Sequence, residues 1–306
     1  MSDDDGLFGR FMSRGERIRE LKRMEQAAIN ESASERLSEC GESSEGDETN
    51  ADGHLVYDSY LAHQRYYDDY KHSDYPAIRF DFHAPHHSDA TIWQDKSLGK
   101  GGIIWDAAFV LVEYLMSEVF MKFAAEGDCK VEVLELGAGT GLTSVCLARA
   151  LEATSRMRNG NGTKINFLTT DLPDLMDLIR KNVEANPLDP DQTGVCLRHM
   201  PLTWGLDEEE AMKCANDSKP FDIIIGADIV ASLYDPELLV ETLSMLSSSR
   251  TKIYVSFKGR ESIYHDRFED ALRRAFGTVS KALSPNLPSR NRNPGVGVIV
   301  ASDKIQ

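Results

Sequence analysis

VEVLELGAGTGLTS, residues 131–144, is the stretch on which the fold turns. Residues 131–136 form an apolar run broken only by acids, the right length for a buried strand and too short for a helix. Gly137, Gly139 and Gly141 follow at once, and residues 141–151 read as a helix. Glycine is wanted where backbone must turn tightly and approach a ligand with no Cβ in the way. At the carboxyl end of a parallel strand, such a turn places a ligand in the crevice of the sheet. Three spaced glycines alone are weak evidence, because dinucleotide sites and ordinary turns use them too. Two details narrow the choice. The third glycine comes one residue earlier than in GxGxxG, and Glu135 stands two residues before the first. A carboxylate there suits a cationic ligand better than a pyrophosphate.

Downstream, TTDLPDLMDLIRKNVEAN covers residues 169–186. A second strand over 165–170 ends at Asp171, and a helix over 173–186 carries Leu175, Met176, Ile179 and Val183 on one face. A carboxylate in this place can accept both ribose hydroxyls of a nucleoside cofactor. It can equally serve as the helix cap. Asp171 lies 30 residues beyond Gly141, against a usual spacing of about 20; RMRNGNGTK, residues 156–164, accounts for the excess as a surface loop. Further strands are predicted over 195–199, 221–226 (FDIIIG), 252–257 and 295–301. Helices fall over 236–246, with Asp235 as cap and Pro236 at the first position, and over 262–276. Upstream, strands are read over 77–82 and 91–94. Trp105 sits near the start of a helix whose Ala108, Leu111, Leu115 and Val119 share a face. Strands alternating with helices of this length imply a mostly parallel sheet covered on both faces.

Composition limits the function classes. The net charge of −16 opposes general binding to nucleic acid and fits a basic macromolecular partner. No apolar run approaches the roughly 20 residues that span a bilayer, so no membrane role is expected. Five scattered cysteines with no CxxC pair read as reduced thiols, which points to the cytoplasm, with the nucleus as a second location. Residues 1–53 hold 14 acidic and 7 basic side chains and are expected to form an acidic, mostly disordered tail. Within them, residues 7–29 read either as a basic amphipathic helix or as a solvated segment. Residues 54–306 are taken as one domain, with 54–104 an elaboration of strands and helix at its start. His83, His86 and His87 have no acidic or cysteine partner placed by spacing, so they read as loop histidines and no metal site is expected. Lys258 and Arg260 either meet an acidic group or are solvated.

Five motifs occur in order: GGIIWDAA at 101–108, ELGAGTG at 135–141, TDL at 170–172, LTWG at 202–205 and GAD at 226–228. Together they resemble the class I, seven-strand methyltransferases of the methyltransferase-like 21 group, mostly protein-lysine methyltransferases, over roughly residues 77–301. The resemblance implies a doubly wound, mostly parallel seven-stranded α/β sheet and S-adenosyl-L-methionine as cofactor. It further implies a cofactor pocket lined by Trp105, Gly137, Gly139, Gly141, Asp171, Trp204 and Ala227, to which the reading of the strand end adds Glu135. Asp228 is the expected catalytic residue. The chain departs from the family at one point, since Asp-x-x-Tyr here reads Asp228-Ile229-Val230-Ala231, and Tyr234 replaces the tyrosine only if the loop is remodelled. The expected activity is methylation of a protein lysine by a monomeric enzyme. Methylation of another side chain or a small molecule, and a non-catalytic cofactor-binding module, stand as alternatives. A nicotinamide dehydrogenase is opposed by Glu135 and the glycine spacing.

Overall fold

The computed structural model describes residues 55–57, 74–82, 88–121, 129–157, 163–205, 219–231, 234–258, 262–283 and 296–305. The expected tail (1–53), residues 58–73, His83, His86, His87, Arg260 and most of the 156–164 loop lie outside them.

A seven-stranded sheet is formed by β4 (Lys130–Glu135), β5 (Lys164–Asp171), β6 (Val195–Pro201), β7 (Phe221–Ala227), β8 (Ser247–Lys258), β9 (Phe276–Leu283) and β10 (Val296–Lys304). Its order is β6-β5-β4-β7-β8-β10-β9, with β10 antiparallel to both neighbours and the other pairings parallel. The chain winds outwards from β4 to β6 and then returns to lay β7 on the other side of β4. That reversal opens a crevice at the carboxyl ends of β4 and β7, where ligands of such sheets bind.

The strand sequences explain the two-sided burial. In β7, Ile223 and Ile225 face one apolar cluster and Ile224 the other, and in β4 Val133 and Leu134 divide in the same way. The first cluster is completed by α1 (Asp106–Leu115) and α2 (Leu142–Met157). The second is completed by α4 (Pro236–Met245) and α5 (Ser262–Ala275), while α3 (Met176–Ala185) packs with Leu178 and Ile179 in a third cluster. Asp235 caps α4 as expected, its side chain accepting from the Glu237 N–H at 3.1 Å.

Three differences from the predicted elements have physical causes. Strand β9 was not expected, because FGTVSKAL lacks a continuous apolar run. It is an edge strand paired only with β10, and a one-sided strand needs no such run. Strand β8 begins five residues earlier than predicted, since Ser247 pairs with Phe221 across an irregularity before Lys252 meets Ile223. On the helix after Asp171, Leu175 and Ile179 are buried as expected and Met176 and Val183 pack half-buried against them, but the buried face extends further, to Leu178 and Asn182.

The burial of Asn182 has a specific cause. A smaller sheet of β1 (Leu55–Tyr57), β2 (Ala77–Phe82) and β3 (Ser88–Trp93) leaves one edge of β3 without a strand partner among the described residues. Asn182 Oδ1 accepts from the Trp93 N–H at 2.7 Å and its Nδ2 donates to Trp93 O at 3.0 Å; Asn186, one turn on, makes the same pair of bonds with Thr91 at 2.8 Å each. Two side-chain amides thus stand in for the missing strand and cover the edge. Asn182 Nδ2 also donates to Thr140 O at 2.7 Å, inside the glycine loop. Asn182→Ala strands a buried amide and two carbonyls and should lower the unfolding free energy by about 3 kcal/mol in urea titration, whereas Glu184→Ala on the exposed face should change it by less than about 0.5 kcal/mol.

Candidate functional site

One cavity lies at the carboxyl ends of β4, β5 and β7. Its wall includes Gly137, Gly139, Asp171, Trp105, Trp204, Ala227 and Asp228, so seven of the nine residues expected at the site converge there. Glu135 and Gly141 are not on the wall. Gly141 faces inwards, where a Cβ would make ordinary contacts with Ile179 and Thr169 at 3.7 Å each, so it is its φ of 77° and not lack of space that calls for glycine. Glu135 is 1% exposed and lies beneath the loop, where its Oε2 accepts from the Ser144 N–H at 3.3 Å.

The loop is tied to the strands on either side. Leu136 N donates to Ile225 O of β7, Ala138 N to Thr170 O of β5, and Gly139 N to Asp171 Oδ2 at 2.6 Å. Gly137 and Gly139 adopt φ of 60° and 57°, values that L side chains avoid. Space confirms the need for glycine. A Cβ on Gly137 would meet Ile229 Cγ2 at 2.7 Å and Trp204 Cζ2 at 3.2 Å, and one on Gly139 would meet the Gly101 carbonyl at 2.9 Å.

Asp171 accepts from two backbone N–H groups, Gly139 at 2.6 Å and Leu172 at 2.7 Å. Burial pushes its carboxyl above the usual range, while those two bonds pull it back. A carboxylate offers about four acceptor sites, so the group retains capacity for hydroxyls on its cavity side.

Trp105 precedes α1, and its indole N–H donates to Lys100 O at 2.8 Å. Asp106, the first residue of that helix, is buried and paired with Lys258 Nζ at 3.1 Å, and Ser256 Oγ donates to Ala107 O. Lys258 therefore meets an acidic group, one of the two readings its position allowed, and anchors the helix end that carries Trp105. Asp228 has φ of 54° and is held by strand β8: its N–H donates to Ser256 O at 2.9 Å, and its Oδ1 accepts from the Lys258 N–H at 3.2 Å.

Sequence reasoning left Lys100, Gly101 and Tyr234 out of the site, yet all three line the cavity. The glycine-rich run before Trp105 was a usable signal for the first two. Tyr234 packs on Trp204 with ring centroids 5.4 Å apart and planes tilted by 56°.

The wall suits an adenosyl sulfonium. It combines positive-φ glycines whose Cα faces leave no room for a side chain, a carboxylate for hydroxyls, two indoles, and apolar neighbours such as Leu175 and Leu202. Among the described residues, no group of three or more His, Cys, Asp or Glu is placed to hold a metal, and no helix is long and apolar enough to cross a membrane.

Desolvation pushes Glu135 from its ordinary 4.5 up to about 7, outweighing hydrogen bonds from Ser144 and Thr143, and the charge on Asp171 adds to the rise. The folded protein then keeps a proton that the unfolded chain releases. The stability this proton contributes is full below the unfolded value and is lost as pH rises through the folded one. Glu135→Gln cannot ionise, so its stability relative to wild type should grow by about 2–3 kcal/mol between about pH 5 and pH 8 in denaturant titrations. A difference that stays flat across that interval contradicts a buried protonated carboxyl.

A family model described as lysine methyltransferase matches residues 85–274. EEF1A lysine methyltransferase 3 of Xenopus tropicalis is 33% identical over 165 residues, which are 54% of this chain and 61% of that protein. Protein N-lysine methyltransferase METTL21A of the same frog is 31% identical over 175 residues, 57% of this chain and 68% of that one. METTL21A of Danio rerio is 32% identical over 182 residues, 59% and 71% respectively. The first of these relatives is thus matched over less than two thirds of its length. With 190 consecutive residues inside the family model, and its glycine loop, Asp171 and both tryptophans on one cavity wall, the chain belongs to the lysine methyltransferase family.

Proposed function

We propose that the protein transfers a methyl group from S-adenosylmethionine to a lysine side chain of another protein. The observation that carries this reading is the meeting of Gly139 and Asp171, from two different strand ends, on a single cavity flanked by Trp105 and Trp204. The names of the relatives, all lysine methyltransferases, support a lysine as acceptor. The net charge of −16 favours a basic partner, and the reading places the enzyme, as a monomer, in the cytoplasm or the nucleus.

When bound, S-adenosylmethionine supplies an electrophilic methyl group on a sulfonium. The protein's part is then chiefly positioning, with reacting atoms about 3–3.5 Å apart and in line. In this reading Asp171 holds the ribose hydroxyls, Gly137 and Gly139 let the backbone lie close, and Trp105, Trp204 and Ala227 enclose the nucleoside. Asp228 accepts an N–H of the incoming amine and orients its lone pair. The apolar wall favours the neutral, nucleophilic form of that amine.

The test is calorimetric titration with S-adenosylmethionine, followed by tritiated-methyl labelling of a cell lysate and hydrolysis to methylated amino acids. Wild type should bind the cofactor and label lysine in protein bands. Asp171→Ala should lose labelling through weakened binding. Asp228→Ala should bind within about threefold of wild type yet label at least about tenfold less, the signature of an interaction made with the reacting group. Absence of cofactor binding by wild type, or label confined to small molecules, rejects the proposal.

A further inference from the structure

Trp204 is a slab held at two places. Its Cζ2 stands where a Cβ on Gly137 would approach to 3.2 Å, so the indole rests directly on the glycine loop. Elsewhere it meets the ring of Tyr234, at 5.4 Å between centroids and a 56° tilt. The neighbouring Gly205 N–H donates to Thr242 Oγ1 at 3.0 Å, which fixes the backbone behind the ring to α4. Tyr234 is itself tied back, its N–H donating to Ala231 O at 3.1 Å. Both rings and Ala231 line the cavity.

We infer that Tyr234 is a positioning residue for the cofactor: it braces Trp204 against the glycine loop and so sets the width of the slot in which the adenosyl group lies. The inference rests on the adenosyl-binding reading of the cavity. It follows from the order of contacts, Gly137 to Trp204 to Tyr234. Trp204 also packs against the second apolar cluster, but its cavity side is open, so without the Tyr234 ring the indole has room to swing from the loop. Tilted aromatic pairs resist that swing, and the ring rather than the hydroxyl does the bracing. Ala231 lines the cavity but offers no ring, and the aromatic contact of the indole is with Tyr234.

The experiment is calorimetry of the full chain with S-adenosylhomocysteine as probe. Tyr234→Ala should weaken binding about three- to tenfold, the range of one aromatic pair, and Tyr234→Phe should stay within about twofold of wild type. In a Trp204→Ala background, where no indole remains to brace, Tyr234→Ala should add less than about twofold. Thermal unfolding of the unliganded variants identifies any that fail to fold, and Tyr234→Leu, which keeps bulk without an aromatic face, should resemble Tyr234→Ala. Binding by Tyr234→Ala equal to wild type overturns the inference. So does the same loss with and without Trp204, or a loss in Tyr234→Phe as large as in Tyr234→Ala. A wild type that takes up no S-adenosylhomocysteine rejects the function itself, an outcome distinct from all of these.

Discussion

The bond from the Gly139 N–H to Asp171 Oδ2, at 2.6 Å, joins the loop after one strand to the end of the next. An N–H aimed at a carboxylate makes a charge-assisted bond, worth about 1.5–3 kcal/mol. Its larger effect is geometric. A loop of three positive-φ glycines has little stiffness of its own. Secured to Asp171, with Ala138 bonded to Thr170 and Leu136 to Ile225, it becomes a rigid floor. The carboxylate that secures it is thereby turned to the same cavity. One side chain organises the loop and presents an acceptor for ligand hydroxyls, so neither part of the site is assembled without the other.

The floor is supported from outside the main sheet as well. Asn182 links the edge of β3 to Thr140, so its side-chain amide joins the small sheet, α3 and the glycine loop through their backbone groups. At the other side, the buried Asp106–Lys258 pair and the Ser256–Ala107 bond hold the start of α1 to β8, and Trp105 stands immediately before that helix. Removing one partner of a buried ion pair leaves the other uncompensated, which is costly; the pair therefore specifies where the helix begins. The two tryptophans reach the cavity from segments about 100 residues apart, each fixed by polar contacts outside the cavity wall.

Much of this was legible in the sequence, because it depends on local pattern. The apolar run before Gly137, the run of isoleucines in FDIIIG and the Pro236 helix start each register in a few consecutive residues, and their elements lie close to where they were read. What escaped depends on relations between distant segments. Asn182 reads as a polar residue on a helix until β3 arrives to use its amide. Edge strand β9 has no buried run to betray it. Glu135 has the right spacing from the glycines, but strand alternation directs it beneath the loop, where it becomes a buried carboxyl rather than a wall. Gly141 belongs to the motif, yet it turns the backbone from beneath the wall. Tyr234 was offered by the sequence only as a replacement for the tyrosine at Ala231, and its packing on Trp204 is a contact between distant segments.

Asp228 carries the argument one step further. A non-glycine residue at φ of 54° is uncommon, and aspartate is among the few that adopt it at modest cost. Here the conformation is over-determined: β8 takes the residue's N–H at Ser256 and returns the Lys258 N–H to its carboxylate. Strain maintained in this way is found where a side chain must point somewhere that regular strand geometry does not allow. Without the turn, strand β7 would continue past Ala227 and alternate its side chains between the two apolar clusters. With it, Asp228 leaves the sheet and faces the cavity at the place where the chain crosses from β7 towards Tyr234. The backbone of β8 therefore sets the direction of this carboxylate, and the same Lys258 that orients it through its N–H holds Asp106 through its ammonium. Two parts of the cavity wall, Asp228 and the segment at Trp105, are thus registered to one residue.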